Sequence, residues 1–526
     1  MAWSVNCRLM VAQLTLALVI VYLYNINKMM QLDRLNARHS QSDHLPHPVH
    51  PRAVVDEDGD RLRPTSRTAR SRELSRSQHA AESDVVRCRD TRKPNAAVNA
   101  DWQRQDHPSG TIYVYAAVYD GRSVERDPDS VTVRLLVLAS GLEDRSNVVY
   151  CRLWYAEVSE PAVVRAGLTE LDTDAGRRKI GHRIYVQYLI SCVLERSAAN
   201  VEYVSLVVGD RCGSVSALVP ILSPSTATET TEVGICAMLA WPLSDESTQK
   251  PLQSAPWFIE WLELQLTVFG ASRVFLYVVF DDDLWPLKQP IRLYADRKKS
   301  LVVRRIPHPV DGRKRQRREV IGNLRALAVN DCLLRNSRQF RYLIDVDVDE
   351  LIVPRHVALN YSEMITRIDT FVNKRPQKSS VPPSIYYFHV VSFILDVSAD
   401  ETNASPRLTT TGYFRTRDMP QKGMRRAMVD TIRCVVVTPS TGCDVTVMAG
   451  DATSVEVPLN VAGCHRYHRA CAPEVGCETA PRLVAAPIKD NTMLRFQQRL
   501  KFPVIQALRD SGSANNAGLY QVALNA

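Results

Sequence analysis

The hydrophobic pattern divides the chain into stretches of different kinds. Leu9 to Tyr24 is an apolar run of sixteen residues, broken only by Gln13 and Thr15. Residues 25–109 are rich in Ser, Arg, His, Asp and Pro, with few aromatics. Such a stretch cannot bury enough surface to fold by itself. From Thr111 the character changes. Ile112-Tyr113-Val114-Tyr115, Val131 to Leu138, Val148 to Leu153 and Val204 to Val208 are β-branched and aromatic runs separated by polar turns. They predict a small β-rich domain over 110–228. Ser223 to Thr231, rich in Pro, Ser, Thr and Glu, reads as its link to the next unit.

Beyond that link the period changes. Val233 to Leu239 reads as a buried strand. Pro256 opens a helix with Ile259, Leu262, Leu266 and Phe269 on one face, and Gly270 can end it. Val274 to Phe280 and Leu301 to Ile306 follow as strands, Val320 to Leu334 as a helix, and Tyr342 to Val346 as a fourth strand. This alternation predicts an α/β domain over 229–505, with a mostly parallel sheet covered by helices. Residues 506–526 are left as a C-terminal tail. In such sheets ligands sit beyond the carboxyl ends of the strands.

Composition adds constraints. The chain has 526 residues, 45% hydrophobic and 23% charged, which suits two folded domains and a sizeable core. A net charge of +9 is modest for this length. Its basic stretches, Arg61 to Arg76 and Arg313 to Arg318, read as a solvated linker and loop. No nucleic-acid partner is expected, because basic residues interleaved with aromatics on one face are missing. Eleven of the twelve cysteines follow the apolar run; in an oxidising lumen most would pair, leaving at least one unpaired, and Cys434, Cys443, Cys464, Cys471 and Cys477 read as disulfide partners of unknown connectivity.

The apolar run ends Tyr22-Leu23-Tyr24-Asn25, a poor cleavage site. It predicts an uncleaved signal anchor over 9–24 suited to a thin early-secretory bilayer, with residues 1–8 in the cytosol and 25–109 as a stem. Charge does not fix the orientation, since Arg8 precedes the run while Lys28, Arg34 and Arg38 follow it. The cysteines and the sequons Asn360-Tyr361-Ser362 and Asn403-Ala404-Ser405 favour a lumenal body. The expected location is the Golgi membrane, as a single-pass type II protein.

The sharpest chemical feature is the strand Phe340 to Val346, which runs into Asp345, Asp347, Asp349 and Glu350, four carboxylates in six residues. Crowded like charges repel, and burying them unpaired is costly. A hard divalent cation relieves that cost and keeps positions open for phosphate oxygens. Asp347 and Asp349 are therefore the candidate metal ligands. The alternative is a solvated acidic turn; the apolar runs on both sides, closed by Pro354, argue against it.

The segment "YLIDVDVDELIVP" resembles the signature block of glycosyltransferase family 92. Further blocks are similar in order: "IYVYAAVYDGR" (112–122), "VYCRLWY" (149–155), "WFIEWLELQLTVFGASRVFLYVVFDD" (257–282), "NDCLLRN" (330–336), "YHRAC" (467–471) and "IKDNTMLRF" (488–496). The resemblance spans about 110–505. It implies a GT-A-like fold, a UDP-galactose donor, Mn²⁺, a glycan acceptor and inversion at the anomeric carbon. Carried over, Asp347 and Asp349 hold metal and diphosphate, and Glu350 positions sugar or metal. Either His465 or His468 corresponds to a late family histidine that can complete the metal shell. Lys422 matches a lysine placed to contact the diphosphate. Inversion needs a base. Asp400 is the candidate for it, alongside Asp396, Glu401 and Asp418, which the sequence does not separate. Competing readings are a glycoside hydrolase with paired carboxylates and a non-catalytic, lectin-like glycan-binding protein.

Overall fold

Twenty-four strands and five helices carry the described part of the chain. The computed structural model describes residues 86–512 with gaps; residues 1–85, 89–101, 240–254, 375–382, 396–412, 416–424, 445–453, 470–487 and 513–526 are among the segments outside the description. The apolar run 9–24 therefore lies outside the described residues, and none of the described helices is long and apolar enough to cross a membrane.

The first sheet has eleven strands. They are β1 (Val86–Arg87), β2 (Gln103–His107), β3 (Gly110–Asp120), β4 (Ser130–Ser140), β5 (Val149–Tyr155), β6 (Ala162–Arg165), β7 (Gly167–Glu170), β8 (Arg178–Ile180), β9 (Arg183–Glu195), β10 (Val201–Val208) and β11 (Val219–Leu222). Its order is β1-β6-β5-β10-β11-β3-β4-β9-β7, with β2 on β3 and β8 on β9. The sheet curls back on itself. β5 and β9 stand five places apart in that order, about 24 Å on a flat sheet. Yet Cys151 of β5 and Cys192 of β9 are disulfide-bonded, with Cα atoms 6.0 Å apart. The interior is a dry cluster that includes Val114, Val133, Leu135, Val137, Leu153 and Ile190. Strands begin earlier than composition suggests. Polar β2 is held by its ladder to β3 and by buried Gln105, whose amide donates to Ala217 O at 3.2 Å.

The second sheet also has eleven strands. They are β12 (Thr231–Leu239), β13 (Arg273–Val278), β14 (Leu301–Arg305), β15 (Phe340–Asp347), β16 (Glu350–Pro354), β17 (Ile385–Leu395), β18 (Tyr413–Arg415), β19 (Arg425–Asp430), β22 (Ser454–Val457), β23 (Ala462–Arg469) and β24 (Ile488–Asp490). A separate hairpin of β20 (Val436–Thr438) and β21 (Gly442–Asp444) lies between β19 and β22 in the chain. β14, β13, β12 and β15 are parallel. β19 then joins β15 antiparallel, and β17 joins β19 antiparallel.

A mostly parallel sheet of the GT-A type is thus corrected. The sheet is mixed, and another eleven-stranded, strand-rich layer accompanies it. The alternation of strand and helix holds from 231 to 347. Beyond residue 374 the described residues return as strands with no helix before residue 492, and these strands pair both antiparallel, as β17 does with β18 and β19, and parallel, as β17 does with β22 and β23.

The helices are α1 (Ala255–Glu263, continuing as a π turn over Leu264–Val268), α2 (Lys288–Arg292), α3 (Arg317–Asn336), α4 (Tyr361–Lys374) and α5 (Gln497–Asp510). Gly270, at φ +79°, ends the first of these in a conformation that favours glycine. β12 is buried on both faces. Val233, Ile235, Ala237 and Leu239 enter one core with Phe258, Leu262 and Leu276. Cys236 and Met238 enter another with Leu324 and Leu327 of α3 and Leu136 of the first sheet. That second core joins the two sheets, and Gln187 Oε1 on β9 accepts the Leu327 amide at 3.0 Å. Both sheets lie in the compact unit Leu74–Ala526.

The described disulfides are Cys88–Cys212, Cys151–Cys192 and Cys236–Cys332. Cys464, expected to pair, is instead a buried free thiol. Asn360 caps α4, its Oδ1 accepting the Glu363 amide at 2.8 Å while Glu363 accepts the Leu359 amide at 2.7 Å. Asn403 lies outside the described residues.

The Cys236–Cys332 bridge ties β12 to α3 across 96 residues. Replacing both cysteines with Ala is expected to cost about 2–4 kcal/mol, read as a lower midpoint of urea unfolding. An unchanged midpoint would show that the bridge does not constrain the chain.

Candidate active site

Side-chain alternation along β15 builds the site. Tyr342, Ile344 and Val346 face the core under α1. Leu343 faces the other core, toward α3. Asp345 and Asp347 follow Leu343 on that same face. The strand therefore changes from apolar to acidic at its carboxyl end. A two-residue turn, Val348-Asp349, then leads into β16. Three contacts hold the turn. The Asp347 amide donates to Glu350 Oε2 at 2.9 Å. Trp261 Nε1 donates to the Glu350 carbonyl at 2.8 Å. The Tyr467 amide donates to the Asp349 carbonyl at 3.0 Å.

Asp347, Asp349 and Glu350 each offer a carboxylate oxygen within 4.8 Å of the others, and all three are buried. Three arginines from three elements close on them. Arg325 of α3 donates to Asp345 at 2.7 Å and also to Asp347. Arg426 of β19 donates to Asp347 and to Glu350 Oε1, both at 2.8 Å. Arg466 of β23 is 3.0 Å from Glu350, 3.4 Å from Asp347 and 3.6 Å from Asp349. Topology explains the meeting. Glu350 and Arg466 are direct cross-strand partners. The β15–β19 ladder, Ile344 against Met428, leads Arg426 to the acidic end of β15.

The carboxylates are not equivalent. Burial works upward on the Asp347 acid, but Arg325, Arg426 and Arg466 outweigh it and hold the group below the usual carboxylate range. Burial raises Asp349 well above its ordinary value, and neighbouring Glu350 raises it further against the pull of Arg466. Both Asp349 carboxylate oxygens are buried without a hydrogen-bond donor. A buried carboxylate in that position costs free energy unless a cation or a proton neutralises it. Three oxygen-donor side chains within reach of one point, one of them unsatisfied, fit a hard divalent cation.

The other expected site residues fall differently. His465 is fully buried. It pairs with Leu351 across β16 and β23, so it faces away from the side on which Glu350 and Arg466 meet. Its Nε2 accepts from Arg355 at 2.8 Å, which leaves Nδ1 to donate to Tyr467 Oη at 3.3 Å, and its ring stacks on Phe393 at 4.1 Å. The ring nitrogens are engaged on the far side of the ribbon, and His465 is not grouped with the carboxylates among the described residues. His468 lies on β23 in register with Ile394. Asp400 and Lys422, like Asp396, Glu401 and Asp418, lie outside the described residues.

The sequence reading missed the arginines. A signal was present. Arg325 stands in the otherwise apolar helical run Leu324-Arg325-Ala326-Leu327-Ala328, and Arg426 opens the apolar strand run Ala427-Met428-Val429. A charge inside an apolar run calls for a buried partner of opposite sign.

Residues 249–443, which include the acidic turn and two of its three arginines, match the model of glycosyltransferase family 92. Over that interval the chain is similar to glycosyltransferase family 92. The match supports a glycosyltransferase, a class of enzyme that moves a sugar from an activated donor to an acceptor. No curated protein matched the chain.

Two predictions concern the cation-free protein. Asp349 holds its proton more tightly folded than unfolded, so its contribution is fully present below the unfolded carboxylate pKa, about 3.9. It is lost as pH rises through the raised folded value. Asp349→Asn should therefore raise Tm in EDTA at pH 7, with the gain shrinking as pH falls toward 4. A gain that grew on acidification would contradict the raised value. Arg426→Ala leaves Glu350 and Asp347 short of a buried partner and should cost about 3–5 kcal/mol in urea unfolding.

Proposed function

We propose that this glycosyltransferase is metal-dependent and moves a hexose, galactose from UDP-galactose, onto a glycan with inversion. The observation that carries the reading is Asp349, whose two buried carboxylate oxygens have no donor while they lie beside Asp347 and Glu350. Asp347 and Asp349 would hold Mn²⁺ at the carboxyl end of β15. The chemistry a bound Mn²⁺ supplies there is charge stabilisation of the leaving diphosphate.

The protein's own residues do the positioning. Glu350 caps the Asp347 amide and braces Arg426 and Arg466, so it keeps the acidic turn in shape. Trp261 and β23 fix the turn's backbone. A preformed turn spares the cost of ordering the ligands when donor binds. The three described disulfides support an oxidising secretory compartment as the place of reaction.

The test uses the purified full-length protein with UDP-galactose and radiolabelled transfer or UDP release. Chelation with EDTA should abolish turnover and added Mn²⁺ should restore it. Asp349→Asn, which keeps the shape of the side chain, should lower kcat/KM about 100-fold or more, the loss of several kcal/mol of charge stabilisation. If EDTA and Asp349→Asn both leave the rate unchanged, the metal-dependent mechanism is wrong.

A further inference from the structure

Three guanidinium groups meet at one strand end. Two of them, on Arg426 and Arg466, already reach both Asp347 and Glu350. They also form the outer layer of the site. The side chains of Arg325, Arg426 and Arg466 are 23%, 11% and 17% exposed, against 16% for Asp345, 5% for Asp347, 4% for Asp349 and 0% for Glu350. An anion arriving from solvent therefore meets guanidinium groups and Asp345 before it meets the three buried carboxylates.

The charge count points the same way. Four carboxylates, Asp345, Asp347, Asp349 and Glu350, face three guanidinium groups, a formal charge of −1. Neutralising the unsatisfied Asp349 with a divalent cation leaves the cluster at about +1, with the arginines outermost. That surplus suits an anion. Arginine, with its fork of fixed donors, matches the geometry of phosphate oxygens.

We propose that Arg325, Arg426 and Arg466 form a clamp for the diphosphate of the donor, holding the buried carboxylates when the site is empty and sharing their outward N–H groups with phosphate oxygens when it is filled. The clamp rests on the donor reading above and deepens it. It assigns diphosphate recognition to side chains from α3, β19 and β23, beside the acidic turn.

Titration calorimetry on the full chain in Mg²⁺, with inorganic pyrophosphate and orthophosphate as probes, tests the clamp without reference to the nucleobase. The wild type should bind pyrophosphate at least about 10-fold tighter than orthophosphate. Arg466→Gln and Arg325→Gln should each weaken pyrophosphate binding by about 10- to 100-fold and narrow the preference over orthophosphate. Arg466→Lys keeps the charge without the fork and should fall between wild type and Arg466→Gln. It carries the test alone if the glutamine variants do not fold. Pyrophosphate affinities in all variants equal to wild type, or no binding by wild type, would overturn the clamp. Pyrophosphate binding that depends on the arginines, with no turnover of any UDP-sugar, would support the clamp and sink the donor reading instead.

Discussion

The end of β15 concentrates like charge in a place that excludes water, and much of the surrounding structure answers that problem. Asp345, Asp347, Asp349 and Glu350 fall within six consecutive positions. Three of them are buried. Their mutual repulsion is met by guanidinium groups recruited from α3, β19 and β23. Each recruitment requires a long-range pairing: a helix packed on the sheet, an antiparallel neighbour, and a ribbon formed between β16 and β23. The compensation is incomplete at Asp349.

The acidic turn was legible in the sequence because an apolar strand running into carboxylates is a local pattern. So were the parallel strands from 231 to 347 and the helices α1 and α3 between them, which show their own periodicity; the short α2 was not. The remaining, mixed half of the second sheet was not. β17 pairs with β19, β22 and β23, and β19 reaches back to β15. These pairings depend on contacts between distant segments, and short strands such as Arg425–Asp430 carry no turn signal that fixes a partner. The curl of the first sheet was hidden for the same reason. It shows only when Cys151 meets Cys192 across five strand positions.

The histidines illustrate a different limit. His465 sits one residue from Arg466, and a linear reading treats them as neighbours in one site. In a strand, adjacent side chains face opposite ways. Arg466 turns to the carboxylates, whereas His465 turns to Arg355, Tyr467 and Phe393. A one-residue difference in position thus separates a group that touches the acidic turn from one that stiffens the layer behind it.

The route of the chain through the second sheet bears on how much polypeptide makes a working unit. The family match begins at residue 249 and ends at 443. β12, which sits between β13 and β15, precedes that interval, and β23, which bears Arg466, follows it. A fragment trimmed to the matched interval would lack its central strand and the cross-strand partner of Glu350. The boundaries a sequence profile detects are therefore narrower than those of the smallest piece able to assemble this centre.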